Sequence, residues 1–260
     1  MHPVLFEIGS FKLHSYGLLI AIGFLMALQW IRYRSAKEGL NPKQMTDFAF
    51  YLMLVGLVGS RIAFILVENP AYYLKRPWEA FYLWQGGLVF YGGVVAALIF
   101  SIYFFKKKKL DFWKVADILA PGLALGHAFG RLGCFMAGCC HGKTCDPHAW
   151  YGVTFPEGST QLAPTGMPLY PTQLMESVFE FLLFGFLAWK ISKKAFDGQI
   201  VLLYLIFYSL FRVGIEVLRG DLERGFIIQD YLSYSQGIGL ILIVAATLFL
   251  WMRRKQSKTK

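Results

Sequence analysis

Charge is what this sequence has little of. Charged residues make up 16% of its 260 positions, where a soluble domain carries roughly 25%. Hydrophobic residues account for 56%, and the mean hydropathy is +0.48. The shortage excludes an ordinary soluble globule and leaves an integral membrane protein. The marks of a removable leader are lacking as well: the first fifteen residues have neither a positively charged n-region nor a small-residue cleavage site. The first hydrophobic segment is therefore expected to be a retained span. No internal repeat, low-complexity linker or second domain breaks the chain, which implies one polytopic domain over residues 1–260. Acidic residues number 16 against 26 basic ones, for a net charge of +10. Such a balance would suit nucleic acid, but most of the cations flank apolar runs. Phospholipid headgroups and the positive-inside rule account for them better, so the expected partner is the bilayer and not nucleic acid.

What is present is a series of long apolar runs. Seven windows reach the roughly 20 residues a crossing helix needs: 14–32, 46–67, 86–105, 115–136, 172–192, 199–218 and 234–252. This predicts an all-α fold with about seven transmembrane helices. Basic residues then orient it. One set of connections holds Arg32, Arg34, Lys37, Lys43, Lys106 to Lys109, Lys114, Lys190, Lys193, Lys194, Arg253, Arg254, Lys255, Lys258 and Lys260, seventeen cations in all. The other holds six, namely Lys12, Lys75, Arg76, Lys143, Arg219 and Arg224. The asymmetry places the N-terminus outside and the C-terminus in the cytoplasm.

The outer side then receives four segments. Residues 1–13 read as interfacial or weakly stranded, with Val4 to Phe6 and Phe11 to Leu13 as short apolar pieces. Residues 69–84 are dense in Tyr and Trp, as at a membrane interface. The loop at about 137–171 carries cysteine, proline and glycine, and residues 219–233 form a shorter connection. Glycines cluster inside the spans at 56 and 59, 86 and 87, 92 and 93, and 122, 126, 130 and 133. Small-xxx-small spacing lets helix backbones approach in lipid, so the last row places the fourth span at the centre of the bundle.

That span contains Arg131, with His127 one turn before it on the same face. An arginine at membrane depth costs roughly 2.5–3.5 kcal/mol on insertion scales, so its default reading is functional. Arg61 and Arg212 are the two others at such depth. Arg212, Glu216 and Arg219 follow at spacings of four and three, and the Arg212–Glu216 pair is most simply a salt bridge along one helical face. Two guanidinium groups meeting from different helices would instead form a planar, permanently charged clamp for phosphate or carboxylate. For a protein facing lipid, the obvious anion is a phospholipid headgroup. Other polar residues in the spans are Tyr16, Tyr91, Gln173, Glu176 and Glu180. Tyrosines at span ends are usually interfacial anchors, and Gln173 and Glu176, just after Pro171, suit a helix N-terminus.

The four cysteines, Cys134, Cys139, Cys140 and Cys145, all fall between Gly126 and His148, with His141 and His148 interleaved. The spacing C-x4-C-C-x4-C matches no common zinc pattern, which wants C-x2-C pairs or a Cys/His equivalent. On an oxidising face disulfides are open to them. Adjacent cysteines rarely bond each other, so a bridge would join Cys134 or Cys145 to the central pair. Structural thiols or a disulfide are the simplest expectation. A membrane thiol oxidoreductase built on this cluster is the enzymatic rival, and a non-enzymatic lipid-binding protein is the other.

Seven motifs in order carry a family likeness. They are H-S-Y-G at 14–17, G-S-R-I at 59–62, W-Q-G-G-L-V-F-Y-G-G at 84–93, D-I-L-A-P at 117–121, G-R-L-G-C-F-M-A-G-C-C-H-G at 130–142, Y-P-T-Q-L-M-E at 170–176 and F-R-V-G-I-E-V-L-R at 211–219. On these the chain resembles the bacterial prolipoprotein diacylglyceryl transferases over almost its whole length. The resemblance implies a multi-pass enzyme of the bacterial inner membrane with its active site toward the extracytoplasmic face. Its implied partners are phosphatidylglycerol and prolipoproteins bearing a lipobox cysteine. It maps the family's phosphatidylglycerol-binding arginine onto Arg131, its second essential arginine onto Arg212 with the accompanying acid on Glu216, its essential tyrosine onto Tyr16 and its essential glycine onto Gly142. Arg61 joins the expected lipid-binding set. Many members carry asparagine where this chain has Cys134, glutamate at Cys139 and histidine at Tyr91.

The implied reaction moves a diacylglyceryl group from phosphatidylglycerol to the lipobox thiol, forming a thioether and releasing glycerol 1-phosphate. Arg131 and Arg212 would stabilise the charge that grows on the phosphate as the C–O bond breaks. The nucleophile belongs to the substrate, and a thiol of pKa about 8.5 is partly ionised near neutrality. Tyr16 or Tyr91 would orient or deprotonate it. No metal or soluble cofactor is required.

Overall fold

The computed structural model describes residues 4–8, 11–68, 70–82, 86–157, 162–221, 225–228 and 231–258. Trp84 and Gln85 of the third motif, residues 158–161 of the long loop, and Arg224 lie outside the described residues. The long apolar runs fold as helices because a backbone in lipid must satisfy its own hydrogen bonds. They are α1 (Ser15–Lys37), α2 (Pro42–Glu68), α4 (Phe90–Lys108), α5 (Phe112–Ala137), α6 (Thr172–Lys190), α7 (Gln199–Ile215) and α8 (Tyr234–Lys258), with a short α3 (Pro70–Lys75) between α2 and α4. Six of them, all but α3 and α6, are long and apolar enough to cross a membrane. The expected window at 172–192 does form a helix, α6, but Thr172, Gln173, Glu176, Ser177 and Glu180 lower its hydropathy. All five are buried. They recur on one helical face, so α6 turns polar groups toward protein, whereas α4 leaves Leu98, Ile99 and Ile102 more than half exposed, as a lipid-facing helix does.

β1 (Val4–Ile8) pairs antiparallel with β2 (Phe11–His14), with a register shift between Val4 and Phe6. In the aromatic segment, α3 is followed by a 3-10 turn at Pro77–Phe81. The long loop pairs β3 (Val153–Thr154) with β4 (Pro168–Leu169) over a small core of Phe155, Ala163 and Leu169. Residues 219–233 contain the paired β5 (Phe226–Ile228) and β6 (Leu232–Ser233).

The chain divides into two compact units, residues 31–112 and residues 1–30 with 113–260. In the first, α2 and α4 cross at their glycines. A Cβ on Gly92 would stand 2.7 Å from the Gly59 carbonyl, and one on Gly93 would stand 2.8 Å from that of Gly56. Close backbone approach of this kind is what small residues permit in lipid. At the far end of the same pair, Phe48 is fully buried among Phe100, Phe104 and Phe105.

The second unit is built on α5. Buried residues fill 56% of its crossing window, against 28% or less in the other five crossing helices. Pro121 interrupts its hydrogen-bond ladder, and the Trp30 indole donates to the nearby Ile118 carbonyl at 3.0 Å. One turn earlier, fully buried Asp117 reaches the start of α7. Its Oδ1 accepts from the amides of Ile200 and Val201 at 2.8 and 3.0 Å, and its Oδ2 from Gly198 at 2.8 Å. Lys194 pairs with the same carboxylate at 3.4 Å. Orphan amides of a helix N-terminus are thus capped from another helix, which fixes α7 against α5. Ser177 of α6 donates to the Ala128 carbonyl of α5 at 2.9 Å, and Phe179 of α6 stacks on Phe211 of α7 with centroids 4.0 Å apart. Asp117→Ala should lower stability by about 1–2 kcal/mol, the cost of a lost cap, read as an earlier thermal unfolding transition in detergent. An unchanged transition would mean that α7 is held some other way.

Candidate active site

The three helices so fixed bring three ionised groups together. Arg131 projects from α5, Glu176 from the buried face of α6 and Arg212 from the last turn of α7. Arg131 Nε lies 2.5 Å from Glu176 Oε2, and Arg212 Nη1 lies 3.6 Å from Glu176 Oε1. Arg212 Nη1 also meets Glu216 Oε2 at 2.6 Å, the salt bridge expected from the i,i+4 spacing. The guanidiniums of Arg131 and Arg212 therefore do converge from different helices, as a clamp would need, but on a shared carboxylate. Glu176 is a bridging counter-ion, not merely a group at a helix start.

The pairing leaves capacity over. Arg131 Nε and Arg212 Nη1 sit at ion-pair distance from their carboxylates without the alignment of a hydrogen bond, and Arg131 Nη2 is buried with no hydrogen-bond partner among the described residues. Arg212 Nη2 makes a long contact, 3.4 Å, to Ser235 of α8. Buried donors without acceptors are costly and rare, and an anion placed between these groups would supply the acceptors. One turn along α5, His127 Nδ1 meets Glu180 Oε1 at 3.0 Å, and the imidazole lies 5.5 Å from the Tyr208 ring.

Beyond the end of α5 the chain threads between the starts and ends of its neighbours. The Gly142 amide donates to the Tyr170 carbonyl at 3.2 Å, the Lys143 amide to Leu218 at 2.8 Å and the Gly220 amide to His141 at 3.0 Å. Thr172 Oγ1 and Gln173 Nε2 reach back to the carbonyls of Cys140 and Cys139 at 3.1 and 2.9 Å. This crowding explains the glycine at 142: a Cβ there would meet the Tyr170 backbone carbonyl carbon at 3.0 Å and its Cβ at 2.5 Å. Arg219 does not continue the Arg212–Glu216 face, because α7 ends at Ile215, a 3-10 turn covers Glu216–Leu218 and Arg219 is extended. It pairs with Asp221 instead. Burial works against the charge on Arg219, but the Asp221 carboxylate outweighs it and raises the guanidinium above its ordinary range.

All four cysteines are free, the thiol form of the two alternatives that the spacing left open. Cys134, Cys139 and Cys140 have their sulfurs within 4.8 Å of one another, and Arg131 Nη1 lies 4.0 Å from Cys134 Sγ. Hydrogen bonds from the Cys134 and Cys139 thiols lower the Cys140 thiol below its ordinary range. Burial opposes the shift, and Arg131 and Arg219 reinforce it.

The remaining expected site residues sit as follows. Tyr16, 43% exposed, leans on α5 where Gly133 leaves room; a Cβ on Gly133 would meet its ring at 3.0 Å. Arg131 and the three clustered thiols act electrostatically on its hydroxyl. Tyr91 opens α4 in the other compact unit and is 60% exposed. Arg61 belongs to that unit too, and its donors go to backbone: Nε to Ala80 at 2.9 Å, Nη2 to Glu79 at 2.8 Å, and Nη1 to Gly86 and Gly87 at 2.7 and 3.1 Å. Sequence reasoning missed the bridging role of Glu176, the His127–Glu180 pair and the clustering of three thiols. The spacing of polar residues on one face of α6 was the available signal for the first two.

An arginine pair that is incompletely neutralised, set among the helices of a membrane protein, can accept an anion. The family model described as prolipoprotein diacylglyceryl transferase matches residues 3–252. A phosphatidylglycerol–prolipoprotein diacylglyceryl transferase of Clostridium tetani is 37% identical over 244 residues, covering 94% of each chain. Relatives of the same designation in Clostridium perfringens and Bordetella parapertussis are each 34% identical, over 95% and 98% of this chain and 94% and 97% of their own. The chain belongs to the prolipoprotein diacylglyceryl transferase family and is a transferase. Neither the oxidoreductase nor the non-enzymatic reading finds support in these relatives. Because Glu176 balances the buried Arg131 and the partly buried Arg212, Glu176→Gln should destabilise the protein by about 3–5 kcal/mol, the cost of breaking a buried pair. Thermal unfolding of that variant in detergent checks this, and a wild-type transition would show that the arginines do not depend on the carboxylate.

Proposed function

We propose that this protein transfers the diacylglyceryl group of phosphatidylglycerol to the lipobox cysteine of a prolipoprotein. The substrate thiol gives up its proton to solvent, and its sulfur bonds to the glyceryl carbon. The bond from that carbon to the phosphate oxygen breaks, and its electron pair leaves on glycerol 1-phosphate. The observation that carries the reading is the buried, unpartnered Nη2 of Arg131 beside a second guanidinium, Arg212. A phosphodiester seated there receives donors from a planar fork. Charge growing on its oxygens as the C–O bond breaks is stabilised in a site from which water is excluded. Glu176 and Glu216 hold the two forks in place and keep them from repelling each other. Tyr16 lies on the same unit as Arg131 and, unlike Tyr208, is exposed, so it is assigned the orienting of the incoming thiol ahead of Tyr91. Gly142 lets the loop close at the ends of the helices. Arg61, whose donors are spent on carbonyls, anchors the loop around Gly86 rather than binding lipid.

The surrounding topology is part of the proposal. The α6 helix is the seventh crossing, its glutamates tolerated because they face cations and not lipid. The N-terminus lies outside and the C-terminus in the cytoplasm. The site and the loop at 137–171 face the extracytoplasmic side of the inner membrane, where a prolipoprotein emerges. Incubating the purified protein with phosphatidylglycerol and a lipobox peptide should yield the thioether peptide together with glycerol phosphate. Arg131→Lys, which keeps a charge but loses the fork, should insert and fold yet transfer about 10²–10³-fold more slowly, the usual cost of removing one donor to a developing anion. Near-normal transfer by that variant would remove the clamp from the mechanism.

A further inference from the structure

The transfer reaction makes no use of the three thiols that the fold gathers beyond α5. Cys134 sits on the last turn of α5, and Cys139 and Cys140 lie two and three residues past its end. The Cys139 amide donates to the Cys134 carbonyl at 3.1 Å, and the Cys139 Sγ lies 3.7 Å from that same oxygen. Cys140 takes a left-handed backbone, φ +58°, which a side chain with a Cβ adopts only under strain. The surroundings enforce it: Thr172 and Gln173 at the start of α6 hold the carbonyls of Cys140 and Cys139. As a result the sulfurs of Cys134, Cys139 and Cys140 all lie within 4.8 Å of one another. Cys145, in the same loop, stands apart from the group, its sulfur against Gly152.

Thiolates at about 2.3 Å from a tetrahedral zinc are about 3.8 Å apart, so small side-chain movements bring these three sulfurs to coordinating distance. Soft sulfur donors select closed-shell thiophilic cations over hard ones. Three thiolates around a dication carry one net negative charge, and Arg131, 4.0 Å from Cys134 Sγ, is placed to offset it. With three protein ligands the cation keeps an open fourth position. We propose that Cys134, Cys139 and Cys140 form a three-thiolate site for a soft closed-shell cation of the Zn2+ class, at the extracytoplasmic end of α5. Each thiol that coordinates releases its proton to solvent, and no oxidant or reductant takes part.

The experiment uses the full-length protein, purified anaerobically in detergent and titrated with Cd2+ as an optical probe. Sulfur-to-metal absorption should rise to one equivalent per chain, and Zn2+ should displace it. Cys139→Ser and Cys140→Ser should each weaken binding by about 100-fold or more, a first-ligand effect at least as large as that of an outer-shell partner. Cys145→Ser should bind as the wild type does. A second measurement needs no variant: one equivalent of Zn2+ should protect Cys134, Cys139 and Cys140, but not Cys145, from alkylation read by mass spectrometry. Absence of sulfur-to-metal absorption, equal alkylation of all four cysteines with and without Zn2+, or a disulfide within the cluster in the anaerobic protein would each overturn the proposal.

Discussion

A guanidinium buried among transmembrane helices must find negative charge, and here one carboxylate supplies it to two of them. Glu176 lies between Arg131 and Arg212, so the three helices carrying these groups cannot be placed independently. The ties that set α5, α6 and α7 against one another can be understood as what makes that meeting hold: Asp117 capping α7, Ser177 bonded to α5, and the Phe179–Phe211 stack. Buried ion pairs do not by themselves add much stability, since desolvation offsets most of the attraction. Their value in this protein lies in position. They hold two planar forks close together, short of full neutralisation.

That incomplete neutralisation links architecture to chemistry. A carboxylate aligned with every donor would leave nothing for a substrate, and an absent one would leave like charges repelling. The observed geometry lies between these limits, with donors at ion-pair range but poorly aimed and with Arg131 Nη2 unserved. The same guanidinium also faces the thiol cluster through Nη1. Arg131 is therefore the point at which the carboxylate of α6, the signature loop and the proposed lipid phosphate all meet, which accounts for an arginine at so expensive a depth.

Much of this was legible in the sequence. Apolar runs are read additively along the chain, so six crossing helices fell where hydropathy placed them. Arg212 and Glu216 were readable as a pair because four residues is one helical turn. The small-residue row at 122 to 133 correctly pointed to α5 as the most enclosed of the crossing helices. Where local spacing was the only guide, it failed at element ends. Arg219 was placed on the Arg212–Glu216 face, but the helix tightens into a 3-10 turn after Ile215 and the side chain leaves that face.

By itself, then, the sequence determined the membrane character, the helices, the motifs of the family and the arginines whose burial demands a reason. Those properties depend on composition and on neighbours within a turn or two. Only the tertiary structure decided that Glu176 would serve both Arg131 and Arg212 and that Arg61 would bind backbone carbonyls. It also decided that three cysteines at an unpromising spacing would bring their sulfurs together while the fourth stood aside. Each of these depends on distances between segments far apart in the chain, or on a strained backbone such as that of Cys140, and linear spacing carries no measure of either.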